Sequence, residues 1–127
     1  MYYYHISVEK LNKRVLKPRI PESFVEGFED NKTKRVCFST SIMGCIDAVT
    51  CCNYPFASEE FYVYKPINYT GRIIKPTEDQ VCDVKSTREK WFTDKVNIQC
   101  IGKIKAYGLN HFNRKMIKWY WIEKYET

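Results

Sequence analysis

Four groups in this chain have side chains suited to an anionic ligand, and they lie far apart in sequence. His5 sits in YYYHISV, a β-rich run in which alternate residues share a face, so Tyr3, His5 and Ser7 point the same way. A histidine there can hydrogen-bond a ribose or a phosphate; packing within the strand is the structural alternative. Arg19 stands between prolines in LKPRIP. A loop stiffened in this way holds its guanidinium in place, and the fork of donors suits phosphate. Ser39, Thr40 and Ser41 end the apolar run RVCF, where a helical pattern takes over. A helix start offers unpaired amides and a positive dipole end, and three hydroxyls add donors at the same spot. Plain N-capping would account for one of the three. Glu89, in STREKWF, lies close to Trp91, where partial loss of water suits a carboxylate to act on a substrate hydroxyl. Glu78, Asp79 and Asp83 are rivals for any acidic role.

Other chemistries lack their residues. The chain has no G-x-x-x-x-G-K-S/T, G-x-G-x-x-G or H-E-x-x-H pattern, so any bound phosphate is held without a Walker loop. Two histidines and no C-x-x-C argue against a structural zinc site, and no metal is expected. Cys51 and Cys52 have no histidine near them in sequence to activate a thiol nucleophile.

The elements that must position these groups follow from periodicity. Residues 2–8 read as a first strand. Pro18 and Pro21 exclude a long helix after it, leaving a helical turn near 9–13 and then an irregular basic loop. Residues 26–34 are polar and turn-rich. Residues 34–39 form a second strand. Ile42, Cys45, Ile46 and Val49 then recur at helical spacing, in a helix that ends before Asn53-Tyr54-Pro55. Further strands are expected at 59–67, closed by Pro66, and at 70–77, followed by a polar stretch over 78–90. Val96, Ile98, Cys100, Gly102 and Ile104 alternate with Lys95, Asn97, Gln99, Ile101, Lys103 and Lys105, as in an antiparallel strand wet on one face, and Gly102 marks a candidate bulge. After a loop at 108–115, residues 116–125 are ambiguous in spacing; their aromatic and β-branched content favours a strand paired with 95–106. The expected fold is α+β: one domain over 1–127, with a small, mainly antiparallel sheet system and one main helix. No βαβ alternation supports a doubly wound sheet.

Composition sets the outer limits. The chain has 127 residues, 44% hydrophobic and 28% charged, enough apolar area for a core. Its net charge of +6 favours an anionic partner, whether nucleotide, nucleic acid or acidic protein face; a solvated lysine-rich surface gives the same balance. MYYYHISVEK has neither the basic nor the apolar region of an export signal, so the six cysteines read as thiols in a reducing cytoplasm. No apolar run has the length of a membrane span.

Taken in order, an aromatic strand with His5, L-x-P-R-x-P, R-V-C-F-S-T-S-I entering a helix and a late Glu resemble the ADP-ribosyltransferase-like superfamily. That superfamily includes mono- and poly-ADP-ribosyltransferases, tRNA 2′-phosphotransferases and RES-type NAD-degrading toxins. The resemblance implies a split antiparallel sheet cradling NAD. It implies that His5 contacts the NAD ribose and that Ser39, Thr40 and Ser41 support the site. It implies that Glu89 orients the ribose 2′-hydroxyl and stabilises the developing oxocarbenium ion. Ser7 and Arg19 would join the cofactor site, with Arg19 near the pyrophosphate and Tyr62 stacked on nicotinamide. The chain departs from the family in combining a first-strand His with the STS triplet, and in carrying T-x-E-x-W in place of E-x-E or Q-x-E. Its length is similar to that of compact members from bacteria, phages and mobile elements, which act as toxins or counter-defence factors.

Three functions are therefore expected. The first is transfer of ADP-ribose to a protein or nucleic acid, or hydrolysis of NAD. The second is an inactive relative that binds a nucleotide or a bacterial defence protein. The third is a single-stranded nucleic-acid binder using lysines and arginines with the aromatics of 117–125.

Overall fold

A computed structural model describes residues 2–20, 32–49, 58–81, 84–108, 110–111, 114–115 and 117–125. The loop expected over 26–34 lies mostly outside these residues. So do Pro21, the helix end at 50–55, and Cys51, Cys52, Cys82 and Asp83.

The described residues are mainly antiparallel sheet with two short helices. The strands are β1 (His5–Ser7), β2 (Val15–Leu16), β3 (Val36–Ser39), β4 (Ser58–Ile67), β5 (Ile73–Ile74), β6 (Glu89–Phe92), β7 (Val96–Tyr107), β8 (Asn110–His111), β9 (Arg114–Lys115) and β10 (Lys118–Lys124). The helices are α1 (Ile42–Val49) and α2 (Val84–Thr87). The larger sheet runs β1-β4-β7-β10, and β2 pairs with β7 on the edge it shares with β10. A smaller sheet runs β3-β6-β5, and β8 pairs with β9 in a separate hairpin.

Several expectations change in detail. No helical turn forms over 9–13; that segment has no regular secondary structure, and the Leu11 amide donates to the Tyr64 hydroxyl at 2.7 Å. Pro66 does not close its strand. It pairs with Ile98 inside β4, where its missing N–H goes unneeded because β1 pairs with β4 only as far as Tyr64. The stretch over 78–90, expected to be polar and without a regular element, holds α2 and the start of β6, whose first residue is Glu89. Residues 118–124 form the expected strand against β7.

A bulge forms beside Gly102, as expected, and its effect on packing is the largest change. Val63 stands opposite Gly102 but Tyr64 opposite Cys100, so Ile101 is an extra residue in β7. One extra residue reverses the alternation. Ile104 and Ala106 therefore pack on one face of the sheet with Ile42, Cys45 and Ile46 of α1. Val96 and Ile98 pack on the other face with Val36, Phe38 and Phe92 of the smaller sheet. The single apolar face expected for 96–104 is thus divided between two cores on opposite sides. Gly102 sits at the crossover, where a Cβ would run into the Glu123 carbonyl and the Trp121 ring.

Candidate functional site

The two sheets touch at one edge. Tyr4 and Ser39 exchange backbone hydrogen bonds at 2.8 and 2.9 Å, and beyond them β1 and β3 diverge. His5 bridges the parting strands, its Nδ1 lying 3.0 Å from the Cys37 carbonyl. A carbonyl cannot donate, so Nδ1 carries the hydrogen and Nε2 is left as an acceptor. Burial is the main cause that lowers the His5 pKa; the Cys37 carbonyl opposes it, and the Arg19 charge adds to it. The imidazole is therefore neutral at pH 7. Farther along, Arg19 and Arg35 exchange backbone hydrogen bonds at 3.1 and 2.9 Å and close the other end of the gap.

Between these two ties lies a cavity of about 480 Å³. His5, Ser7, Arg19, Ser39 and Glu89 all line it, so the fold gathers five of the residues picked out in the sequence. Leu11 and Leu16 give it apolar wall, and Lys17 adds a second cation. This volume falls within the roughly 300–1,000 Å³ common for small-molecule sites.

One face of the smaller sheet forms the cavity's far wall. Cys37 pairs with Trp91 and Ser39 with Glu89, so these four and Arg35 share a face, while Val36, Phe38 and Phe92 fill the core behind. Trp91 Nε1 donates to Glu89 Oε1 at 2.9 Å, which fixes the carboxyl group at the rim. The Arg35 guanidinium lies 4.1 Å over the Trp91 ring, and its Nη1 donates to the Thr33 carbonyl at 2.9 Å. Arg35 is 1% exposed, a rare state for arginine; an indole face and a fixed carbonyl suit its weakly hydrated, planar charge. Burial first, and then the neighbouring Glu89, push the Cys37 thiol well above its ordinary range, so it is a poor nucleophile.

The hydroxyl corner is a structural device. Ser41 is the N-cap of α1: its Oγ accepts from the Gly44 amide at 2.9 Å. Ser39 Oγ donates to the Thr87 carbonyl at 2.6 Å and accepts from the Ser41 amide at 3.2 Å. The Thr40 amide donates to the Arg88 carbonyl at 3.4 Å. Gly44 packs so closely here that a Cβ would collide with Ser39 Oγ and the Thr87 carbonyl. Only Ser39 of the triplet borders the cavity. Tyr62 stands opposite Ser7, on the same face of the larger sheet, but one strand farther from the cavity, with Lys103 Nζ 5.2 Å from its ring. It does not line the cavity with His5 and Glu89.

Two cavity residues escaped the sequence reading. Arg35 looked like one more basic residue in NKTKR, and only its burial sets it apart. Thr87, 2% exposed, borders the cavity, and its Oγ1 has no hydrogen-bond partner among the described residues. No local spacing marked it: Thr87 ends α2, and Arg88, with φ 52°, separates it from the strand that Glu89 and Trp91 share.

Among the described residues, no group of His, Cys, Asp and Glu is arranged to hold a metal ion, and no helix is long and apolar enough to cross a membrane. Cys37, Cys45 and Cys100 are free thiols. No family model matches the chain, and no curated protein or solved structure matches it.

Proposed function

We propose that the cavity between the sheets is a nucleotide site, and that the protein is an ADP-ribosyltransferase-like enzyme that takes NAD as substrate. The observation that carries this reading is the meeting of His5 and Glu89, from opposite sheets, on one cavity that also has Arg19 and Lys17 on its wall. Cations there suit a pyrophosphate. The neutral His5 offers Nε2 to a ribose hydroxyl. Thr87 Oγ1 is buried beside the cavity with a hydrogen bond to give, a state that a bound ligand would relieve.

In the reaction, the bond from ribose C1′ to the nicotinamide nitrogen breaks, nicotinamide leaves with the electron pair, and C1′ bonds to an acceptor oxygen or nitrogen that gives up a proton. Glu89 acts where positive charge builds on the ribose ring, so its contribution falls mainly in the transition state. The acceptor is a protein or nucleic-acid group, or water when NAD is hydrolysed. A cytoplasmic setting and a phage or mobile-element role, as toxin or counter-defence factor, belong to the same reading.

A second reading is favoured by the Trp91–Glu89 hydrogen bond. A carboxyl group committed to its own sheet suits a site that binds a nucleotide, or a bacterial defence protein, without turning NAD over. Chromatography of NAD and nicotinamide, with Glu89→Gln alongside, separates the two. Nicotinamide released by the native protein and not by the variant supports the enzyme. NAD that is bound but left intact supports the binding module.

A further inference from the structure

Among the described residues, no element covers the larger sheet on the face opposite α1 at the β10 end, where Tyr107 and Tyr120 are exposed. Ile104 and Ala106 point into the core, so Lys103, Lys105 and Tyr107 point out. In the register of β7 with β10, Lys105 stands opposite Tyr120 and Tyr107 opposite Lys118. The outcome is a two-by-two checkerboard of tyrosine and lysine. The two tyrosine rings are diagonal neighbours, their centroids 6.0 Å apart and their planes tilted by 59°. Tyr107 is 41% and Tyr120 49% exposed.

The pattern continues onto the next strand. Lys103 Nζ lies over the Tyr62 ring, beside a shallow depression that Lys105 and Ser58 also line. Glu60 opposes this charge, bonded to Lys103 at 2.9 Å, and Glu123 stands opposite Lys103 in β10.

A cross-strand aromatic pair adds some stability to any sheet. That accounts for the ring contact but not for lysines set diagonally between rings left open to water. An acidic protein surface would answer the lysines and leave the ring faces unused. A duplex would answer them too, with its base faces hidden. Single strands offer both phosphates and bare bases, and stacking on tyrosine tolerates any sequence. We infer that this face binds single-stranded nucleic acid, with bases on Tyr107 and Tyr120 and phosphates beside Lys105 and Lys118. The site is separate from the cavity and does not depend on how the cavity is read.

The test is fluorescence anisotropy with a labelled oligothymidylate, against a duplex of equal length, across a salt series. Single strands bind more tightly than duplex. Tyr107→Ala and Tyr120→Ala each weaken binding about tenfold or more, while phenylalanine at either position keeps it. Lys105→Gln and Lys118→Gln each reduce the slope of log affinity against log salt by about 0.7. Glu60→Gln tightens binding, and Glu89→Gln leaves it unchanged. Both tyrosines are exposed, so the alanine variants keep the native circular dichroism spectrum. Absence of binding, equal affinity for duplex, or native affinity in the double alanine variant would each overturn the inference.

Discussion

The His5 ring nitrogen Nδ1 and the Cys37 carbonyl, 3.0 Å apart, join two sheets whose backbones have already separated. The same contact sets the tautomer that leaves Nε2 as an acceptor. One residue thus sustains the opening of the cavity and equips its wall.

This arrangement ties stability to pH. The folded protein holds His5 below the ordinary imidazole value of 6.5, chiefly through burial. The unfolded chain therefore takes up a proton first as pH falls. Stability is full above about pH 6.5, and declines as pH drops through the window between the unfolded and folded values. Urea denaturation at stepped pH should show that decline, and His5→Gln should flatten it. An equal decline in the variant would place the titration elsewhere.

The serines of the corner should separate by role. Ser41→Ala removes the α1 cap and is expected to lower stability by about 1 kcal/mol. Ser39→Ala leaves the buried Thr87 carbonyl without its donor and is expected to lower stability by about 1–3 kcal/mol. Ser41→Ala should leave nucleotide affinity unchanged, because its hydroxyl serves the helix. Denaturant melts and NAD titrations on both variants check this.

The Trp91–Glu89 hydrogen bond is open to a conservative change. Trp91→Phe keeps an aromatic ring beneath Arg35 but removes the only N–H that the indole offers Glu89. The enzyme reading predicts a lower turnover rate with NAD affinity nearly unchanged, because Glu89 acts in the transition state. Steady-state nicotinamide release across NAD concentrations measures the two separately.

Thiol chemistry gives an independent check on the two cysteines. Burial pushes Cys45 up to about 12, and burial with Glu89 raises Cys37 as well. Neither should alkylate with iodoacetamide at pH 8 in the folded protein, and both should after unfolding. Peptide mass spectrometry reads each site; Cys37 is half-buried, and its rapid native labelling would contradict a thiol held well above its ordinary range.

Gly102 tests the crossover between the cores. A methyl group there meets the Glu123 carbonyl and the Trp121 ring, so Gly102→Ala should lower stability by about 1–3 kcal/mol. Full stability in that variant would argue against the bulge register.

The sequence was most legible where one period held over several residues. The change of spacing after Ser39 marked β3 and α1, and aromatic content marked β10. It was least legible where structure rests on few residues or on distant ones. β2 is two residues long and has no period to read. Gly102 marked the bulge but not its effect, which is to turn Val96 and Ile104 to opposite faces although their spacing is that of a regular strand. Tyr62 and Glu89 were expected on one ligand, yet they lie in different sheets, and Tyr62 borders a depression separate from the cavity. The burial of Arg35 depends on Trp91 in another strand, which no local pattern announces.

The central claim is that the cavity between β1 and β3 receives NAD, and calorimetric titration of the native protein with NAD tests it most directly. The account predicts saturable binding at one site, weakened about tenfold or more by Arg19→Ala through loss of a charged hydrogen bond of about 1.5–3 kcal/mol. Absence of binding at millimolar NAD, or binding that Arg19→Ala leaves unchanged, would contradict it.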